Sequence, residues 1–581
     1  MGQQVLAVIG ARLNSSRLPK KQLRPLFGEP VISHIVRRLQ AVPHITGIVI
    51  ATTDETFNDE LREWAESAGV DCFSYSGDID DVVGRVDAVV RDYDPDLLVY
   101  ICGDCPLIEP VTLDGMIKEL LAHPGAEFVT LTPAPDGGRY IHEGFDVYRR
   151  SFWDKIAQAS TEAYEKEHLA SAYHHSGKVD PTGICYFAED PLYATVTHRI
   201  SIDTYSDLQF MQAVYDAWYE SHSSDTIVSL SWVISMLQKG RWHDINAHVH
   251  QKHVGEEPPS VCFVVEAGQG IGLGHLARMI VLARAFQDCY SASLEFLVKC
   301  DALPELDFQG VPVARISDGT DVRGLLLSKL QGADILVQDL KGANFDFADR
   351  EKDADSDCFI VSIDNPDIGL EPDFLMMPSF VNGRPDFQPS SFGWNHFLLR
   401  RVVRRPDTVS EVKRVIVLSG AGLAGERAKQ LASGLMSGLP RSVTVSWVIW
   451  PGTADPLEGL GHQNWKPVEA SPNLAGELAS YDAAVAAYGV SFFECLNAGL
   501  PTVVYDALGT VSDGEWRALE EAGVAMPVDD LEEIGPVLSK LISDSALRQH
   551  LIKTATGKLT NDGGREAVTS IMKAYLKKRE T

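Results

Sequence analysis

Five cationic side chains crowd into one short run after the first apolar segment, VLAVIG: Arg12, Arg17, Lys20, Lys21 and Arg24 in ARLNSSRLPKKQLR. The whole chain has a formal net charge of -30, so the cluster stands against the bulk charge. Arg12, Arg17 and Lys21 together carry enough positive charge for a triphosphate, and guanidinium grips phosphate in bidentate fashion. Asn14 belongs to a residue type that tolerates positive φ, as a tight loop requires. Two acids end apolar runs further along: Asp104 in LVYICGDCP and Asp203 in HRISIDTYSDL. Two carboxylates beside a triphosphate point to Mg²⁺, which prefers oxygen ligands and keeps phosphates and waters in its shell. Cys102 and Cys105 flank Asp104 at a spacing that zinc and redox sites use. No second ligand pair has matching spacing, so the two cysteines are read as small residues beside the acid.

A second chemistry is written in VCFVVEAGQGIGLGHLARM. Gly268, Gly270, Gly272 and Gly274 let backbone N–H groups approach an anion at a helix N-terminus. His275 falls near the first helical turn. The positive end of a helix disfavours imidazolium, so the ring is expected neutral and able to act as a base. A third group, His243, His248, His250 and His253 in RWHDINAHVHQKH, has spacings that could suit zinc. No Cys or acid completes that shell, and a surface linker is the favoured reading.

The elements that must position these residues follow from the pattern. Apolar runs alternate with helix-spaced segments from the start: VLAVIGA, VISHIVRRLQAV, GIVIATTD, NDELREWAESAG, DLLVYICGD. That rhythm implies β-α units and mostly parallel sheets, hence an α/β chain. At ~150 residues per domain, 581 residues make three or four domains. The expected divisions are 1–225, a helix and linker over 226–258, 259–405, and 406–581, with the basic LLRRVVRRPD at the last joint. Acidic bulk charge argues against nucleic acid or anionic membrane as partner. No apolar stretch approaches the ~18 residues of a spanning helix. The start of the chain has no secretion-signal pattern. Nine scattered Cys read as free thiols of a reducing cytoplasm.

ARLNSSRLPKK resembles the A-R-x-x-S-T-R-L-P-x-K signature of sugar-acid cytidylyltransferases of the spore-coat-polysaccharide type. PLFGEP, GDIDDVVGR, GDCPLIEP, EGFDVYRRSF, KEHLASAY and SIDTYSDL resemble later elements of that family, in the same order. The resemblance covers roughly residues 4–220 and implies a Rossmann-like nucleotidyltransferase fold. It implies transfer of CMP from CTP to a sugar acid. Arg12 and Lys21 would be catalytic, Arg12, Arg17, Lys21, Asp81 and Arg85 would hold nucleotide, and Asp104 and Asp203 would hold Mg²⁺. Asp146, Glu167 and His168 would touch substrate. Related transferases pair, so a homo-oligomer is expected.

The second half resembles, more loosely and over roughly 260–575, the UDP-sugar hydrolase of pseudaminic acid biosynthesis. That enzyme is a relative of MurG-type glycosyltransferases with the two-lobed GT-B fold. IGLGHLARM, LVQDLKGAN, VSIDNPD and YGVSFFECLNAGLPTVV carry the likeness. It implies a UDP-sugar ligand, His275 as base, and Arg278 and Asp339 at the substrate. Asp364 stands at a further strand end. Gly272, Gly274, Gly489, Ser491 and Glu494 would bind the nucleotide, with Glu494 on the ribose hydroxyls. Tyr488 and Val490 replace a Gly and the Ser of the family pattern, and Glu266 stands for its Asp. The two resemblances together imply a bifunctional enzyme of nonulosonic acid biosynthesis, of the pseudaminic or legionaminic type. The alternatives are a cytidylyltransferase fused to a glycosyltransferase, or to a catalytically silent sugar-nucleotide-binding or scaffold module.

Overall fold

The computed structural model describes residues 3–142, 145–251, 257–267, 273–301, 308, 310–342, 345–347, 351, 356–382, 390–405, 411–420, 425–449, 455, 464–469, 474–507, 509 and 511–580. The chain forms two compact units, Met1–Val249 and His250–Thr581. The α/β expectation holds, with one large sheet and a two-stranded ribbon in the first unit and two sheets in the second.

In the first unit the strand Val5–Gly10 lies between Gly47–Thr53 and Leu97–Cys102, parallel to both. Its first five residues are buried, as in a parallel sheet covered on both faces. The helix Val31–Gln40 covers one face by burying Val31, Ile32, Ile35, Val36 and Leu39, a helical stripe. One strand breaks the parallel rule: Phe145–Arg149 runs antiparallel to both of its neighbours. Of the helix and linker expected over 226–258, the helix is present as Leu230–Gln238, and the chain up to Val249 belongs to the first unit. Leu230, Val233, Ile234 and Leu237 are buried in the first unit's core, with Trp242 and Ile245 packed against it. Residues 226–249 thus complete that unit rather than tether it.

The second unit has two lobes. One sheet is built on Ser260–Glu266 and the other on Arg414–Leu418, and both are wholly parallel. The division at 405 also needs correction. The last helix, Gly563–Arg579, returns to the first lobe. There Ala567, Val568, Ile571 and Met572 join Phe286 and Leu282 in one core. Gly563 meets the Phe397 carbonyl so closely that a Cβ would sit 2.0 Å from that oxygen.

The three large sheets share one order. The first strand lies beside the fourth on one side and the second on the other, with the third beyond the second. Connections leave in opposite directions at the first and fourth strands, so a crevice opens past their carboxyl ends. Gly10 and Cys102 end those strands in the first sheet, Glu266 and Asp339 in the second, Leu418 and Ala487 in the third.

Candidate functional sites

The basic loop is anchored by its apolar residues. Leu13 and Leu18 are buried, Leu13 N donates to Asn58 Oδ1 at 2.8 Å, and Lys20 N donates to the Leu13 carbonyl at 2.8 Å. The left-handed residue is Lys20, with φ of 56°, and not Asn14. That turn sends two adjacent lysines opposite ways. Lys20 pairs outward with Glu60, and Lys21 turns inward and is buried.

Lys21 Nζ lies 2.6 Å from Asp104 Oδ2 and 2.9 Å from Asp203 Oδ1. The two acids meet because Ile202 N donates to the Asp104 carbonyl at 2.9 Å, tying the 202–203 backbone to the strand end. Arg17 reaches Asp203 Oδ1 at 3.0 Å, and Arg199 holds Asp203 Oδ2. Burial works against the Lys21 ammonium, yet Asp104 and Asp203 outweigh it and hold it charged above its ordinary value. Burial likewise opposes the Asp203 carboxylate, but Lys21, Arg17 and Arg199 hold it well below the usual range. Cys105 Sγ donates to Asp104 Oδ1 at 3.4 Å, so the cysteine serves the acid.

The other expected residues divide. Arg12 is held by the Ile79 carbonyl at 3.1 Å and Asp80 at 2.6 Å. Beside it Arg85 is buried, with Nε and Nη1 lacking any hydrogen-bond partner. Burial first, and then Arg12, lower the Arg85 pKa. Two neighbouring guanidinium groups, Arg85 with unfilled donors, form a place for an anion. Asp81 caps the helix Val82–Tyr93, accepting from Gly84 N at 2.7 Å. Asp146 pairs in register with Tyr100, and burial pushes its carboxyl up. It lies close enough to Cys102 to raise that thiol, together with burial and Asp104. Glu167 and His168 are exposed at the end of the helix Ala163–Glu167, and no described contact joins them to the Lys21 cluster.

The cluster also contains residues the sequence reading missed: Arg199, Asp207 and Asn246. Thr204 and Asp207 form a capping box at the helix Tyr205–Tyr219, a spacing legible in the sequence. Arg199 and Asn246 had no local signal.

In the second unit His275 lies on the first turn of Gly274–Tyr290, and its Nδ1 is 2.7 Å from Asp339 Oδ1. Asp339, expected at the substrate, is instead 1% exposed with both oxygens engaged: Oδ1 by His275 and Arg278 Nη2, Oδ2 by Arg278 Nε at 2.6 Å. Burial raises its pKa, but Arg278 and His275 outweigh burial and hold it at about 2. Arg278, also expected at the substrate, is spent between Asp339 and Asp364. Together they fix the His275 ring, whose Nδ1 faces Asp339 Oδ1 at 2.7 Å and Arg278 Nη2 at 3.1 Å; in the tautomer that donates from Nδ1 to the closer carboxylate, Nε2 is the nitrogen that can accept a proton. Glu266 accepts from Lys341 N at 2.6 Å and Gly342 N at 2.5 Å, bracing the same edge. Gly268, Gly270 and Gly272 lie outside the described residues. A Cβ on Gly274 would meet Val490 Cγ2 at 3.6 Å, so the first turns of Gly274–Tyr290 and Val490–Asn497 face each other across the lobes. Gly489, with φ of 152° and open space at its Cβ position, and half-buried Ser491 sit at that facing turn.

Glu494, expected on the ribose hydroxyls, is already partnered within the chain. It is 1% exposed, and Arg400 engages both oxygens, with Nε at 2.8 Å from Oε1 and Nη2 at 2.7 Å from Oε2. With Arg400 N also donating to Oε1 at 3.2 Å, three of the carboxylate's roughly four acceptor sites are taken, which leaves too few for a ribose diol to be gripped by both oxygens. The histidine run also resolves: His243 lies tilted against His198, ring centroids 5.4 Å apart, and His253 lies outside the described residues. Among the described residues no helix is long and apolar enough to cross a membrane.

Residues 6–237 match the cytidylyltransferase family. Similar proteins include the 8-amino-3,8-dideoxy-manno-octulosonate cytidylyltransferase of Shewanella amazonensis, 32% identical over 131 residues, 22% of this chain and 52% of that one. The 3-deoxy-manno-octulosonate cytidylyltransferase of Trichlorobacter lovleyi is 31% identical over 128 residues, 22% of this chain and 49% of that one. The chain thus spans about half the length of the curated relatives it matches. Among solved structures, a calicheamicin glycosyltransferase is similar with 14% identity and a TM-score of 0.38, over 55% of this chain and 99% of that one.

Proposed function

We propose that the N-terminal unit transfers CMP from CTP to a 3-deoxy-2-ulosonic acid, an octulosonate or a nonulosonate of the pseudaminic or legionaminic type. The observation that carries this reading is the convergence of Asp104 and Asp203 on Lys21, at the sheet edge where Arg12, Arg17 and Arg85 gather positive charge. A hydroxyl of the sugar acid attacks the α-phosphorus of CTP. A new C–O–P link forms, the hydroxyl proton passes to solvent, the bond from the α-phosphorus to the β-bridging oxygen breaks, and pyrophosphate leaves. Arg12, Arg17 and Lys21 meet the triphosphate charge, and the unfilled donors of Arg85 take a further acceptor atom of the nucleotide. Asp104 and Asp203 supply the carboxylate oxygens a hard dication prefers, and they would hold Mg²⁺ once Lys21, which bridges them at 2.6 and 2.9 Å, turns onto the triphosphate. Mg²⁺ held there supplies neutralisation of the triphosphate charge. The test is pyrophosphate release by the full chain with CTP and other nucleoside triphosphates, across octulosonates and nonulosonates. Release with no sugar acid refutes the reading, and release with UTP but not CTP refutes its nucleotide.

For the second unit we infer action on a UDP-sugar, with neutral His275 Nε2 taking a proton from water as that water attacks the anomeric carbon and UDP leaves. The Asp339–His275 contact supports it. The Arg400–Glu494 pair favours a second reading, a binding module without turnover. UDP release from a UDP-acetamido-sugar decides for the hydrolase. Retained affinity without release decides for the module.

A further inference from the structure

Asp203 is braced by a network that starts in its own segment and ends far beyond it. Asp203 N and Thr204 N each donate to Asp207 Oδ2 at 3.0 Å. Arg199 ties the two acids together, with Nε 3.1 Å from both Asp207 oxygens and Nη2 on Asp203 Oδ2. Asp207 is fully buried, so its oxygens must be filled by donors for the network to keep one arrangement.

One of those donors arrives from far along the chain. Asn246 Nδ2 donates to Asp207 Oδ1 at 3.0 Å, a contact spanning 39 residues, and to the Arg199 carbonyl at 3.1 Å. Both amide protons are then spent, so Asn246 Oδ1 can only accept. The ring nitrogen 2.8 Å from it, His198 Nε2, is therefore the donor. That contact fixes the amide against flipping, and Asn246 itself is 1% exposed. It sits on the short helix His243–Asn246, beyond the residues 6–237 that match the cytidylyltransferase family.

We propose that Asn246 is a positioning residue for CMP transfer: acting through Asp207 and Arg199, it fixes the carboxylate of Asp203 relative to Lys21. The inference rests on the proposed CMP transfer. Without the amide, Asp207 Oδ1 keeps Arg199 Nε as its one described donor, and Arg199 loses the hold on its own carbonyl. Arg199 is then free to shift toward Asp203 and draw it from Lys21. Displacements on the order of 1 Å at such a centre cost about 100-fold in rate.

The test uses the full chain with CTP and a sugar acid that wild type accepts. Asn246→Ala and Asp207→Asn are expected to lower kcat about 10- to 100-fold, with KM for CTP within about twofold of wild type. The double variant is expected to be no slower than the worse single variant, because one residue acts through the other. His198→Phe frees the amide to flip and is expected to lower kcat in the same sense, which keeps the idea testable where Asn246→Ala does not fold. Folded variants with wild-type kcat overturn the proposal. So do losses that multiply in the double variant, or a loss confined to KM. Failure of both Asn246→Ala and His198→Phe to fold also overturns it, by making the contact a folding element. A wild type without CMP transfer refutes the parent reading instead.

Discussion

Asp104→Asn separates the charge of the centre from its scaffold. The amide is isosteric, and the backbone bond from Ile202 N to the Asp104 carbonyl does not involve the side chain. Lys21 keeps Asp203 at 2.9 Å, so its ammonium is not left alone. The side chain of Asp104 is 21% exposed, which limits the cost of losing the 2.6 Å pair to about 1 kcal/mol of stability. The reaction loses more. Under the proposed CMP transfer, the variant removes one of the two carboxylates that would hold Mg²⁺ and orient Lys21 against the triphosphate, and loss of one such electrostatic contact costs about 3 kcal/mol, or about 150-fold in kcat. The assay is pyrophosphate release with saturating CTP, run beside a thermal melt. Expected is a fall of about 100-fold or more, with a melting shift of a few degrees at most. A folded variant with full turnover removes Asp104 from the site. A loss of activity matched by collapse of the fold refutes the separation of roles.

Asp339→Asn should lower the stability of the second unit by about 2 kcal/mol near neutral pH. Because the folded pKa of Asp339 is depressed from 3.8 to about 2, that contribution is present above the unfolded value and is lost as pH falls toward 2; calorimetry from pH 6 to 2.5 should show the gap to wild type closing, and a constant gap contradicts the assignment. Glu494→Ala leaves Arg400 unpaired beside a buried site and should cost about 3 kcal/mol while changing UDP affinity less than threefold; calorimetric titration with UDP checks this, and a large loss of affinity restores the ribose role. His275→Ala should slow UDP-sugar turnover about 10²–10⁴-fold and leave CMP transfer unchanged, both read from product release. Ending the chain at residue 225 should abolish soluble expression of the first unit, since Leu230, Val233, Ile234 and Leu237 each remove about 1.5–3 kcal/mol of burial; a folded, active 1–225 fragment would contradict the packing.

Local pattern was enough to expose the strand ends. Parallel strands align their carboxyl ends on one edge, so Arg12, Lys21, Asp104 and His275 could be placed near crevices from alternation and spacing alone. It also separated the basic loop from the acidic bulk. Which partner each group takes was not legible. Lys20 and Lys21 are chemically alike in sequence, and only a left-handed backbone at Lys20 turns one out and the other in. Glu494 reads as an open acid until Arg400, 94 residues away, fills it. Arg278 and Asp339 read as two ligands for a substrate until they meet each other. The last helix belongs by sequence to the final lobe and by packing to the one before it. Sequence periodicity records which face of an element is apolar, because burial acts on each residue separately. It does not record which distant donor meets which acceptor, because that pairing is set only when the folded chain brings both to one point. Chemistry at the strand ends was thus determined by the sequence itself, and tertiary structure alone decided which of those groups stay open to a ligand and which are already satisfied by one another.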